Sequence, residues 1–276
     1  MMRAMVAIES PHNPAIRAAI ALRERRNRVE SGLTLVDGAR ECRRAIDAGT
    51  VVETAFTCTS ILHSPEALRA MSALHARSIE PVEVSERAFA KLAFGDRAEG
   101  MVLVVRVPST RLDDLRVGAA PLLLVTEDVE KPGNLGAIIR TADAAGCDAV
   151  IAIDGTDLFN PNVIRASTGM VFSMPLAAAA ADEAISWLRQ HDTRIVAARV
   201  GAECAYTDAD LRGPLALVLG SEAAGLSNAW RGPDVEGVRL PMLGVADSLN
   251  VSATAAILAF EARRQRGTPN LRSTST

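Results

Sequence analysis

Short apolar runs alternate with helical segments through the second half of the chain, and this alternation restricts the fold more than any other feature. PLLLVTE (Pro121–Glu127), DAVIAI (Asp148–Ile153), RIVAAR, LALVLG and EGVRLPM have the length and hydrophobicity of strands covered on both faces. Asn134–Gly146, a short helix opened by Asn160-Pro161, and Glu183–Gln190 read as helices between them. Leu249–Arg266 reads as a final helix capped by Ser248, with Leu249, Ala253, Ala256, Ile257 and Phe260 on one face. Such alternation implies an α/β fold with an open, mostly parallel sheet and helices on both faces. The alanine run Ala177–Ala181 reads as low-complexity and is assigned to no element.

The first half reads as a smaller α/β domain. Its strands are expected at Leu33–Asp37, Val51–Phe56 and Met101–Val107, and its helices at Ala39–Ala48, Pro65–Ala76 and Ser85–Ala93. An earlier helix opens at Asn13-Pro14, a cap residue followed by proline at the first helical position. Near its end lie Arg23, Arg25, Arg26 and Arg28, which either complement the helix dipole or face phosphates. The polar stretch Pro108–Gly118 reads as a linker, dividing the chain into 1–117 and 118–276, and TPNLRSTST reads as a disordered tail.

Several function classes are disfavoured. The longest apolar stretch, around Met170–Leu188, is broken by Asp182 and Glu183, so no segment reads as membrane-spanning. MMRAMVAIES lacks the apolar core of a signal peptide, so a cytoplasmic location is expected. Cys42, Cys58, Cys147 and Cys204 show no CxxC spacing, and His12, His63, His75 and His191 are isolated, so no metal is expected. No GxGxxG, GxxxxGK[ST] or GxSxG occurs, which removes the usual dinucleotide, phosphate-loop and hydrolase signatures. Nine aromatic residues in 276 disfavour a surface of stacked bases. The net charge of −3 speaks against nucleic acid only as an average. The first 45 residues hold nine arginines against five acids, a local balance of +4, and a local patch is enough for phosphate contacts.

Parallel sheets place ligands at the carboxyl ends of their strands. Three loops there are distinctive: KPGNLGAIIRTADAAG (Lys131–Gly146), with Asn134 as the expected helix cap; LGSEAAGLS (Leu219–Ser227); and LPMLGVADSLNVSATAA (Leu240–Ala256). In this order, with NPNVIRASTGMVFSMPL between the first two, they resemble the SpoU/TrmH family of RNA ribose 2′-O-methyltransferases of the SPOUT class. The resemblance spans Leu122 to about Arg266. The first half is similar to the substrate-binding domain that many members carry, with Asp37-Gly38 where glutamate-glycine is common.

The resemblance implies a trefoil knot in the second half, a homodimer, and S-adenosyl-L-methionine bound by the loops. Cofactor contacts are then expected at Leu219, Gly220, Glu222, Leu240, Met242, Gly244, Ser248, Leu249 and Asn250. Gly220 and Gly244 suit a close backbone approach to the ligand. The implied catalytic set is Arg140, Asn134, Glu222, Ser248 and Asn250. Arg140, as a permanent cation, either stabilises the developing alkoxide or clamps the adjacent phosphate. Asn134 positions the ribose or Arg140, and Glu222 holds Asn134 or a ribose hydroxyl. Arg165, with Arg23, Arg25, Arg26 and Arg28, is the implied RNA-binding set. Ribosomal RNA is favoured over transfer RNA. The alternatives are a non-catalytic RNA-binding protein on the same fold and a doubly wound enzyme such as a nicotinamide dehydrogenase, which the missing glycine fingerprint disfavours.

Overall fold

A computed structural model of the chain describes residues 7–94, 99–155 and 157–267. The tail TPNLRSTST lies outside the described residues. Packing divides the chain into two compact units: Met1–Pro108 with Asp157–Ser173, and Ser109–Thr156 with Met174–Thr276.

The first unit contains α1 (Pro14–Ala21), α2 (Arg25–Ser31), β1 (Leu33–Asp37), α3 (Ala39–Asp47), β2 (Val52–Thr57), α4 (Pro65–Ala76), β3 (Val82–Glu83), α5 (Glu86–Leu92) and β4 (Met101–Arg106). Its sheet has the order β1-β4-β2-β3, with β4 antiparallel to both β1 and β2. Ile16, Leu35, Phe56, Phe89 and Val102 form the centre of one apolar cluster. Asn13, Ser64 and Ser85 cap α1, α4 and α5 through their side chains, supplying acceptors for first-turn N–H groups.

The second unit contains β5 (Leu122–Glu127), α6 (Pro132–Ala145) and β6 (Ala149–Ile153). After α7 (Pro161–Ala166) it resumes with β7 (Leu176–Ala179), α8 (Ala181–Gln190), β8 (Arg194–Ala198), β9 (Cys204–Ala205), β10 (Leu215–Leu219), β11 (Val235–Arg239) and α9 (Val251–Arg266). The strand order is β7-β6-β5-β10-β8-β11-β9, and every neighbouring pair is parallel. Alternate residues of each strand serve opposite faces. Leu123, Val125, Ile151 and Val218 pack with Ala184, Trp187 and Leu188 of α8, while α6 and α9 pack together and contact β5, β6 and β10. The doubly covered parallel sheet expected from the alternation is thus present.

Residues 157–173 pack with the first unit, although they lie between two stretches of the second. The physical reason is a set of buried and part-buried polar ties. Thr34 Oγ1 donates to the Phe159 carbonyl at 2.7 Å, Arg28 Nε to Asp157 at 2.8 Å, and Arg44 Nη1 to Thr168 Oγ1 at 2.8 Å. A division at 117/118 follows the linear sequence; the packing follows these long-range contacts, and separates at Pro108/Ser109.

Four local readings differ from the structure. The first helix stops at Ala21 and a second starts at Arg25. Carbonyls released at the break are taken by side chains: Asn27 donates to Ala21 at 2.7 Å, and Arg28 Nη1 to Leu22 at 2.8 Å and Arg23 at 2.7 Å. The alanine run contributes β7, paired with β6 through Leu176, Ala177, Ala178 and Ala179; alanine has no strand preference, so only the neighbouring strand reveals it. Helix α6 begins at Pro132, with Lys131 at its cap position and Asn134 inside the first turn. Helix α9 begins at Val251, with Asn250 rather than Ser248 as its cap.

Candidate active site

The chain runs outward from β5 through β6 to β7, then returns on the other side through β8, β10 and β11. The order therefore reverses between the neighbours β5 and β10, and the cavity of this face opens on the β10 side of the reversal, over the carboxyl ends of β8, β10 and β11. Three loops meet there. The loop after β5 leads into α6, the loop after β10 carries Gly220–Ser227, and the loop after β11 leads into α9.

Buried Glu127, the last residue of β5, fastens the second loop. It accepts Ser227 N at 2.7 Å, Ser227 Oγ at 2.8 Å and Trp230 Nε1 at 3.0 Å, and Trp230 is fully buried. At the start of the same loop, a Cβ on Gly220 would fall on the backbone of Gly225 and Leu226. Gly220 is thus needed for the loop to close on itself, a different reason from the expected approach of a ligand.

Side chains from all three loops then bond to one another. Asn134 Nδ2 donates to Glu222 Oε1. Asn250 Nδ2 donates to Glu222 Oε1 at 3.0 Å and to Asn134 Oδ1 at 3.2 Å. The orientation of the Asn250 amide is set by its capping role, since Oδ1 accepts Ser252 N at 2.9 Å and Ser252 Oγ at 2.6 Å. At the opposite end of the same two helices, Arg263 Nε donates to the Ala145 carbonyl at 2.7 Å. Helices α6 and α9 are therefore parallel neighbours tied at both ends. Glu222 Oε2 keeps no hydrogen-bond donor among the described residues, so an acceptor remains for an incoming hydroxyl or ammonium.

A cavity of about 840 Å³ adjoins this cluster. Leu219, Gly220, Glu222 and Leu240 line it, as do Met242, Gly244, Ser248 and Leu249. Asn250 does not line it; it holds Glu222, which does. Arg140 is exposed on α6 and makes no hydrogen bond or ion pair among the described residues, and it is not part of the cavity wall. The sequence reading missed Ala198, Arg199, Val200 and Gly201, which continue from β8 into the wall. Their signal was positional: β8 lies beside β10, so its carboxyl end opens onto the same cavity. Among the described residues, no group of three or more His, Cys, Asp or Glu is placed to hold a metal ion.

Comparison with known proteins agrees with this geometry. The model of the SpoU rRNA methylase family matches residues 121–260, and that of the MRM3-like substrate binding domain matches residues 13–103. The chain belongs to the SpoU rRNA methylase family. It is 33% identical to the 23S rRNA (uridine(2479)-2′-O)-methyltransferase of Streptomyces viridochromogenes, over 89% of this chain and 87% of that one. A crystal structure of an RNA 2′-O ribose methyltransferase superposes with a TM-score of 0.83 at 42% identity, covering 94% of this chain and 99% of that one. An AdoMet-bound rRNA methyltransferase from Sinorhizobium meliloti superposes with a TM-score of 0.84 at 30% identity, covering 94% and 97%.

The arginines expected to bind RNA divide by burial in this SpoU-family chain. Arg28 is 3% exposed and spends its guanidinium on Asp157 and two carbonyls, so it is an internal strut and leaves the phosphate-facing set. Arg23 Nη2 donates to the carbonyls of Lys91, Leu92 and Ala93 at the end of α5. Arg26 pairs with Glu30 at 2.7 Å on the surface, and Arg25 is exposed. Arg165 lies half-buried, 3.6 Å from Asp37, and both Arg165 and Arg23 stand over the Phe94 ring.

Asp37 itself is 4% exposed, and its Oδ1 has no hydrogen-bond partner among the described residues. Burial pushes its carboxyl up from 3.8 to about 6, against the Phe94 N–H bond and Arg165, with Glu41 adding to the rise and Arg23 opposing it. A carboxyl whose folded value exceeds its unfolded one binds its proton more tightly in the folded state. Its contribution to stability is therefore greatest below about 4 and declines as pH rises to about 6. Asp37→Asn removes this titration. Urea unfolding should show the variant gaining stability relative to the parent between pH 4 and pH 7, and a pH-independent difference would refute the assignment.

Proposed function

We propose that this enzyme transfers a methyl group from S-adenosyl-L-methionine to a ribose 2′-hydroxyl of ribosomal RNA in the cytoplasm. The observation that carries the reading is the junction of Asn134, Glu222 and Asn250 from three separate loops beside a ligand-sized cavity. The cavity fits the cofactor. Leu219, Leu240, Met242 and Leu249 supply aliphatic wall for an adenine, and at Gly201 and Gly244 a Cβ would meet no atom of the described residues within 4 Å, so both leave the space clear. When bound, S-adenosyl-L-methionine supplies a methyl carbon already activated by its sulfonium.

The chain's own residues then have to align and deprotonate the ribose hydroxyl. Asn134 and Asn250 hold Glu222 through Oε1, which leaves Oε2 to accept from a ribose hydroxyl. Arg140 is permanently cationic and has no internal partner among the described residues, so its donors are free for the developing alkoxide or the adjacent phosphate. Arg25, Arg26 and Arg165 supply further cations for the RNA backbone. The relatives named as acting on 23S rRNA favour ribosomal over transfer RNA.

A homodimer and a trefoil knot belong to the same proposal. Leu243 and Val245, fully exposed beside the cavity, supply apolar surface suited to a second copy. Parallel packing of α9 on α6 suits a threaded last helix. No described helix is long and apolar enough to cross a membrane. Incubation with labelled S-adenosyl-L-methionine and unmodified ribosomal RNA should place label on one ribose, mapped as the linkage that resists alkaline cleavage, and sedimentation of the same sample should give a dimer. Cofactor binding without label in ribosomal or transfer RNA would favour the non-catalytic alternative.

A further inference from the structure

Among the described residues, the cavity wall carries three guanidiniums, those of Arg199, Arg231 and Arg239, against two carboxylates, Glu222 and Asp247. None of the three arginines forms an ion pair among the described residues. Glu222 is held by asparagine amides rather than by a cation. Arg199 is half-buried and fixed in place: its N–H donates to the Val238 carbonyl at 2.8 Å, and Nη2 donates to the Trp230 carbonyl at 2.7 Å. That carbonyl belongs to the residue immediately before Arg231. Burial first, and then the neighbouring Arg231, lower the Arg199 pKa, with Glu127 opposing them. Arg199 and Arg231 repel each other with no ion-paired carboxylate on either among the described residues, and the repulsion is relieved by an anion that reaches both.

We propose that Arg199 and Arg231 form an anion-binding corner that holds the α-carboxylate of the cofactor's amino-acid tail. The inference rests on the cofactor reading above and adds to it a subsite. The carboxylate is the only anionic group of S-adenosyl-L-methionine. A guanidinium presents five N–H donors in a rigid fork, and Arg199 uses one of them on the Trp230 carbonyl, leaving others for a carboxylate. Arg199 follows β8, whose Ala197 pairs with Val218 of β10. It therefore lies in the wall beside the Leu219–Gly220 turn, next to residues expected to contact the cofactor. Arg231 is exposed and completes the corner from the next loop.

Two ligands separate the tail from the rest of the molecule: S-adenosylhomocysteine has the amino-acid tail, and 5′-methylthioadenosine has the same adenosine and thioether without it. Calorimetric titration of the full chain should show Arg231→Glu weakening S-adenosylhomocysteine about tenfold or more, with 5′-methylthioadenosine changed less than about twofold. Arg199→Ala should do the same, while Arg199→Lys keeps the charge and retains most of the affinity. Since Arg231 is exposed, its variant tests the inference even where Arg199→Ala fails to fold. Unchanged S-adenosylhomocysteine affinity in Arg231→Glu would overturn the subsite and hand these arginines to RNA. Equal weakening of both ligands would overturn it too. A parent chain that binds neither ligand would instead remove the cofactor reading, and the subsite with it.

Discussion

Arg140→Ala should lower methyl transfer by roughly 10²–10³-fold while leaving S-adenosylhomocysteine affinity within about twofold of the parent. The size follows from the role: a preorganised cation beside an oxygen that becomes anionic acts mainly on the transition state. The selectivity follows from the position. Arg140 is exposed, has no internal hydrogen bond among the described residues and does not line the cavity, so its truncation leaves fold and cofactor site nearly unchanged. Single-turnover transfer and calorimetry on the same preparation check both halves. Large and equal losses of transfer and binding would show that Arg140 supports the site's structure rather than its chemistry.

Glu127→Ala should cost roughly 2–4 kcal/mol of stability, because three donors lose their acceptor and one of them, Trp230 Nε1, is buried. For a domain of this size that corresponds to a fall in melting temperature of roughly 5–10 °C. Cofactor affinity should fall as well, since Ser227 closes the loop that begins at Gly220 and forms one wall of the cavity. Glu127→Gln keeps one acceptor oxygen and should lose about half as much. Scanning calorimetry reads the first effect and ligand titration the second. A melting temperature unchanged within about 1 °C would show that the loop is held by its own backbone instead.

The second unit was legible where residues near in sequence decide the structure. Strand runs such as Leu122–Glu127 need no partner to be recognised, because burial on both faces demands near-continuous apolar sequence. The site loops were legible as ordered motifs, and Asn134, Glu222 and Asn250 meet as a group. The individual reasons were less legible. Asn134 and Ser248 looked like helix caps, since any polar residue before an apolar helix does. Only the positions of neighbouring loops show that Asn134 turns to Glu222 and that Asn250 performs the capping. Likewise, an arginine cluster near the N-terminus gives no hint of which member is buried. Arg28 is internal because Asp157 lies across from it, 129 residues further along the chain.

What the sequence determined by itself was the class of fold, the ends of the strands at which a ligand sits, and the three loops able to carry the chemistry. Each follows from local periodicity or from a short contiguous motif. Tertiary structure alone decided that residues 157–173 pack with the first unit, that an alanine run is an edge strand, and that Arg199 lines the cavity. These depend on partners far away in sequence. A hydrogen bond or an ion pair is set by distance in space, and one chain's pattern of polar and apolar residues carries no record of which distant residue will stand opposite.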